Sequence, residues 1–227
     1  MFVSITIYMI ETWNSEKPCN PIAPNWSFNF WNKGIFSEDQ CTAIKNTILG
    51  KEVDIIKSNP TVNNDGGTGL GPNSLTSRFS AFNIFTWDNE FVSILKSSVN
   101  EAVCELLKNK QFSTKVYGQC WANIMRTGEQ IHPHWHSSYK HSFFGGHVCI
   151  STQYTHTYYQ NPYNKNDAKA FLNLNGNLTV FENYLVHWTD RVETVEPRIT
   201  LAFDLLTEQA VEESIEDTKN FVELFTV

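Results

Sequence analysis

The chain has 227 residues, 14% of them aromatic, a formal charge of -7 at neutral pH and five cysteines. That length suits one large domain or two small ones, and the apolar content is enough to bury a substantial core, which excludes a chain disordered as its main state. The acidic balance disfavours nonspecific binding to nucleic acid or to an anionic membrane, partners ordinarily met by clustered Lys and Arg.

Cys19, Cys41, Cys104, Cys120 and Cys149 contain no CxxC pair and are odd in number. That fits neither a disulfide framework nor a zinc knuckle and points to a reducing, cytoplasmic setting. The opening MFVSITIYMIETW lacks the basic start of a signal peptide, and its apolar positions Val3, Ile5, Ile7 and Met9 alternate as a strand does. No run is long enough to span a bilayer, so no membrane partner is expected. Asn25-Trp26-Ser27 and Asn177-Leu178-Thr179 match the glycosylation acceptor pattern, which carries little weight without a secretion signal.

Ser37 with Gln40 resembles a capping box, and Cys41, Ile44 and Ile48 recur at helical spacing before Gly50. The pattern predicts a helix from Glu38 to about Leu49. Residues 58 to 77, SNPTVNNDGGTGLGPNSLTS, predict a long loop able to serve as a lid. Its glycines run GGTGLG rather than GxGxxG, with no strand before them, so a phosphate cradle is not expected. Asp88 is the predicted cap of a second helix whose apolar face is Phe91, Ile94, Leu95, Ala102, Val103 and Leu106. Beyond Lys110 the texture changes to short runs (KVYGQCWANIM, SFFGGHVCIST, AFLNLN, LTVFENYLVHW and RITLAFDLL), a rhythm of strands that predicts a sandwich or barrel. With no repeat or Pro-rich linker, the expected plan is a single domain over residues 1 to 227. It has helical support over 37–110, a β core over about 111–206 and a tail over 207–227. In the tail Val211, Ile215 and Phe221 or Val222 fall near helical spacing and suggest a closing surface helix.

Five of the seven histidines lie between residues 128 and 147, in GEQIHPHWHSSYKHSFFGGH. His134 and His136 flank Trp135, and in an extended segment residues i and i+2 share a face, so both imidazoles reach toward one metal. His187, where the run LTVFENYLVHW ends, supplies a third ligand if an antiparallel neighbour brings it beside the pair. Three nitrogens on one face leave three octahedral positions open, the arrangement by which Fe(II) takes a cosubstrate and dioxygen together. His132 and His134 form an alternative HxH pair. His141, His147 and His156 read as hydrogen-bonded or substrate-side rings. Of these His147 is the one expected to face a pocket, because Gly145 and Gly146 before it admit a close approach. A proton switch among the clustered rings is a further reading, but it gives His187 and Arg198 no part.

In EPRITLAFDL the alternation is legible: Arg198, Thr200, Ala202 and Asp204 share one face, and Ile199, Leu201, Phe203 and Leu205 the other. A guanidinium aimed into a β interior needs an anion. Either a structural Asp or Glu supplies it, or a bound carboxylate does, through two charge-assisted hydrogen bonds.

HPHWH, the strand ending in VHW, and Arg-x-Thr eleven residues beyond His187 together resemble the iron and 2-oxoglutarate site of the Fe(II)/2-oxoglutarate-dependent oxygenases. The likeness is nearest to the prolyl-4-hydroxylase-like members of bacteria and phages. WANIMRTGEQ, GGHVCIS and TGLGPNSLTSRFSAFNIFTW extend the resemblance over most of residues 66 to 206. It implies a mainly β fold with flanking helices and a double-stranded β-helix core, a cupin-like jelly roll. It implies Fe(II) and 2-oxoglutarate as cofactor and cosubstrate, and a hydroxylase that uses dioxygen on a peptide or small-molecule substrate. By the same resemblance His134, His136 and His187 hold the iron, His136 standing where most of the superfamily places Asp or Glu. Arg198 grips the distal carboxylate of 2-oxoglutarate, with Thr200 and Asn123 contributing to the cosubstrate site. The histidine leaves the site one unit more positive than a carboxylate would, which favours anionic ligands.

Two rivals remain on the sequence alone. Gly128 followed by His134-Trp135-His136 also opens a cupin motif, for a three-histidine dioxygenase that ignores 2-oxoglutarate, although the later glutamate of that motif is missing. The other is a metal-binding module that kept the fold and lost turnover. The segment QYTHTYYQNPYNKNDAKAF, rich in Tyr, reads equally as a ligand-contacting loop or as a hairpin on its own barrel. Substrate identity is not legible.

Overall fold

The computed structural model describes residues 8–59, 65–136, 139–213 and 218–227. Its centre is β9 (Arg198–Thr207), the strand whose alternation was plainest in the sequence. On one side it pairs antiparallel with β3 (Lys115–Met125), in register from Val116↔Thr207 to Met125↔Arg198. On the other it pairs with β4 (Phe144–Ser151). The sheet continues through β7 (Asn177–Glu182), β2 (Ser27–Gly34) and β1 (Met9–Asn14). β10 (Val222–Thr226) closes the opposite edge, giving the order β1-β2-β7-β4-β9-β3-β10. A second antiparallel sheet runs β6 (Asn164–Leu172), β5 (His156–Asn161) and β8 (His187–Thr189).

Each face of the large sheet has its own job. Ile199, Leu201, Phe203 and Leu205, none of them accessible to solvent, pack with α1 (Glu38–Ser58) and α2 (Glu90–Leu107) through Ile44, Ile48, Leu95 and Val99. Burying each such side chain contributes roughly 1.5–3 kcal/mol, so a slip of one residue, which would turn Arg198, Thr200 and Asp204 onto the helices, is strongly disfavoured. The other face meets the small sheet. Phe30 and Phe181 pack there on Tyr159 of β5, with ring centroids 4.7 and 4.8 Å apart. Between the sheets, beyond that aromatic contact, lies the pocket.

The capping box at Ser37 and Gln40 forms as read, but α1 runs to Ser58 rather than to about Leu49. Gly50 does not end it: its missing side chain faces open space, and Ile55 and Ile56 still reach the core. The cap of α2 is Asn89, which accepts from the Phe91 amide, and not Asp88. LTVFENYLVHW is two strands, β7 and β8, separated by a turn at Asn183–Val186. The tail is not one closing helix. After the short α3 (Glu208–Glu212) the chain adds β10 to β3, because an unpaired sheet edge offers Val222 and Phe225 more burial and hydrogen bonding than an isolated helix would. Ile215 of the expected helix, Val3, Ile5 and Ile7 of the opening strand, and part of the 58–77 loop lie outside the described residues. Among the described residues no helix is long and apolar enough to cross a membrane.

Candidate metal centre

Residues 131 to 136 run extended beside β8. The His134 amide donates to the His187 carbonyl at 3.1 Å and the His187 amide donates to the His134 carbonyl at 2.9 Å, forming an antiparallel bridge. Ile131 and Thr189 exchange bonds one step along, and the His136 amide donates to Asn183 O at 3.1 Å. The period of two then turns His134 and His136 to the same side, where His187 already points. One ring nitrogen from each of the three histidines lies within 4.8 Å of those from the others. Ring centroids are 4.5 to 4.9 Å apart. The histidines that the fold brings together are thus His134, His136 and His187, and His132 is not among them. The exposed His132 ring instead packs under Gly69, and its carbonyl serves His134.

Every Nδ1 of the trio meets an oxygen: His132 O for His134, Asp204 Oδ1 for His136 and Leu185 O for His187, each at 2.8 Å. A carbonyl or carboxylate only accepts, so each Nδ1 carries a proton and Nε2 is the nitrogen turned toward the other rings. Nε2 of His134 and Nε2 of His136 face each other at 2.9 Å. Two lone pairs at that distance repel, and either a shared proton or a metal ion between them relieves the repulsion. Burial, reinforced by the neighbouring rings, pushes His134 down to about 3 and His187 well below the usual imidazole range. Both are therefore neutral donors at physiological pH. The donor set fits a borderline divalent metal.

Behind the trio the same pocket, about 140 Å³, is lined by Arg198, Thr200, Asn123, His147 and Thr157, with Phe79 and Trp121 on one wall. Arg198 is 1% exposed. Its Nε donates to Thr155 Oγ1 at 2.9 Å, but Nη1 is enclosed and has no hydrogen-bond partner among the described residues. No carboxylate is ion-paired to it among the described residues, and the Asp190 charge acts on it only from a distance. Asn123 sits opposite Thr200 on β3, its Oδ1 accepting from Thr76 and from Trp121 Nε1. His147 faces the pocket as its preceding glycines suggested, and burial with the nearby Arg198 charge brings it down to about 3. His141 instead pairs with Glu213 at 3.1 Å, and His156 with Asp190 at 3.0 Å. The Tyr-rich segment is the β5–β6 hairpin. Of it, Thr157 reaches the pocket, and the Gly-rich loop contributes Asp65, Gly66 and Thr68.

Three contributors escaped the reading of the sequence. Asp204 was placed on the correct face without a role. Thr155 sits in a tight turn whose neighbours Gln153 and Tyr154 have positive φ. The Tyr159 hydroxyl is buried with no hydrogen-bond partner among the described residues, its phenol raised by burial and opposed by the Arg198 charge. Nothing in local spacing announces the last two.

No family model matches the chain, and no curated protein matches it in sequence. Solved structures do share its fold. A non-heme monooxygenase, ThoJ, in complex with nickel superposes with a TM-score of 0.54 at 14% identity, over 77% of this chain and 71% of that one. EvdO2 from Micromonospora carbonacea var. aurantiaca, complexed with 2-oxoglutarate, gives 0.52 at 11% identity over 78% and 86%. A Pseudomonas putida prolyl-4-hydroxylase gives 0.52 at 8% identity over 78% and 91%. The fold is therefore mainly β with flanking helices, a jelly roll shared with these structures.

Proposed function

We propose that the protein is an Fe(II)- and 2-oxoglutarate-dependent dioxygenase, a hydroxylase of a peptide or small-molecule substrate, built as one domain of the prolyl-4-hydroxylase-like kind. The observation that carries the reading is the Arg198 guanidinium, whose Nη1 has no hydrogen-bond partner among the described residues, buried in the same pocket as three imidazoles whose ring nitrogens converge. An arginine keeps its proton in any protein interior, so this charge calls for an anion, and a carboxylate matches the guanidinium fork. A three-histidine cupin site has no use for it, which favours the 2-oxoglutarate reading over that rival. The neighbour solved with 2-oxoglutarate supports the same choice of cosubstrate.

In this reading His134, His136 and His187 hold Fe(II), and Arg198, with Thr200 and Asn123 beside it, receives the distal carboxylate. Bound together, Fe(II), 2-oxoglutarate and dioxygen supply oxidative decarboxylation to succinate coupled to oxidation of a substrate C–H bond. The chain contributes the rest. The three Nδ1 acceptors hold each ring in the tautomer that presents Nε2, Arg198 and Thr155 orient the anion, and Phe79, Trp121, Ile131 and Phe181 keep the pocket dry. The test is succinate formation under air from purified protein, Fe(II) and 2-oxoglutarate. Release above that of His134→Ala supports the reading, and parity with that variant overturns it.

A further inference from the structure

His136 occupies the ligand position where the oxygenase resemblance expects Asp or Glu, so the ligand set itself carries no negative charge. A carboxylate is nonetheless one hydrogen bond behind it. His136 Nδ1 donates to Asp204 Oδ1 at 2.8 Å, whereas the corresponding acceptors for His134 and His187 are uncharged backbone carbonyls. Among the described residues no Lys or Arg is ion-paired to Asp204, and its ion-pair partner is His136.

The sheet is built to permit this contact. Asp204 pairs with Gln119 on β3 and with Gly145 on β4. A Cβ at Gly145 would lie 3.1 Å from Asp204 Oδ1, 3.1 Å from Asn183 Cβ and 3.2 Å from Phe203 O. A side chain there would press on the oxygen that His136 uses. The Asn183 carbonyl, which accepts from the His136 amide, fixes the same residue from its backbone. A carboxylate accepting from Nδ1 locks the ring tautomer and makes Nε2 a stronger donor to a metal than a backbone carbonyl does.

We propose that Asp204 is a positioning residue for the metal: it returns, one hydrogen bond behind His136, the negative charge that the ligand position itself lacks. This rests on the three-histidine metal reading above, and the experiment separates the two. Co(II) is titrated into the full-length protein as a spectroscopic probe. Wild type is expected to bind one equivalent and to show three exchangeable, hyperfine-shifted N–H protons, one for each Nδ1. Asp204→Asn keeps the shape but loses the charge, and its amide can turn an N–H toward His136 and invert the tautomer. Its affinity for Co(II) is expected to fall about 10- to 100-fold, with loss or displacement of the His136 proton. Asp204→Glu is expected to recover part of the affinity, and thermal midpoints without metal check that each variant is folded.

An Asp204→Asn protein that binds Co(II) as tightly as wild type, with an unchanged spectrum, overturns the proposal and leaves the metal site standing. If that variant does not fold, wild type alone decides, because only two exchangeable shifted protons would mean that His136 Nδ1 carries no proton for Asp204. A wild-type protein that takes up no Co(II) overturns the metal reading and this proposal together.

Discussion

At the histidine end of the pocket every Nδ1 has an oxygen to receive its proton, whereas at the arginine end Nη1 of Arg198 is sealed in with no partner among the described residues. The first end is organised by the chain alone: backbone carbonyls and Asp204 set three tautomers before anything binds. The second is organised only in part, by Thr155, and leaves Nη1 able to take an anion from outside. Rigid, neutral donors suit a metal that must bind the same way each time. An unsatisfied charge suits a cosubstrate that enters and leaves, because its binding removes a desolvation penalty that the empty pocket carries.

The contrast can be broken at either end, and the largest effect is expected at the histidines. His187→Ala should abolish stoichiometric uptake of Fe(II) or Co(II), measured by titration, while leaving the fold intact, since the bridge to His134 is made by backbone atoms. Uptake equal to wild type would break the histidine end of the contrast. Arg198→Met comes next. Affinity for 2-oxoglutarate, read by calorimetry on the metal-loaded protein without oxygen, should fall about 100-fold, the value of a pair of charge-assisted hydrogen bonds. The same substitution should stabilise the ligand-free protein by roughly 1–3 kcal/mol, because it removes a buried charge that lacks a counter-ion. Destabilisation instead would show that the guanidinium is already satisfied within the chain.

A smaller effect sharpens the comparison by testing an unpartnered atom away from the pocket. Glu182 Oε2 is enclosed without a hydrogen-bond partner among the described residues, and burial raises the carboxyl from 4.5 to about 7. Unlike Arg198 it can take up a proton and become neutral. Since the folded form holds the proton more tightly than the unfolded chain, its contribution is complete below about pH 4.5 and is lost as pH rises through 7. Denaturant melts should show Glu182→Gln more stable than wild type by on the order of 2 kcal/mol at pH 8, the gain vanishing near pH 4.5. The smallest effect is expected at Trp135, 62% exposed beside the pocket. Trp135→Ala should change stability by no more than about 0.5 kcal/mol and leave metal uptake unaltered. A larger loss would mean that this ring braces the histidine segment.

The parts that were legible in the sequence are those set by period and packing. β3 was read at its observed bounds and β9 to within one residue of its end, because apolar and polar positions alternate along most of their length. The convergence of His134, His136 and His187 was legible because the first two share a face and the third ends an apolar run. The extent of α1 was not: Gly50 looks like a stop, and only tertiary contacts from Ile55 and Ile56 carry the helix past it. Nor was β10, which forms because β3 leaves an edge open. Asp204 was visible as a pocket-facing side chain, but its bond to His136 depends on two strands and a segment brought together only by the fold. Thr155 and Tyr159 reach the Arg198 region through a turn and a hairpin that leave no periodic trace.

The most direct test is optical. Fe(II) and 2-oxoglutarate are added together to the protein with oxygen excluded, and the visible spectrum is recorded. A weak charge-transfer band that requires both additions, that disappears in His134→Ala and that needs much more 2-oxoglutarate in Arg198→Met is the expected result. Protein that holds one equivalent of Fe(II) yet shows no band at any 2-oxoglutarate concentration would contradict it.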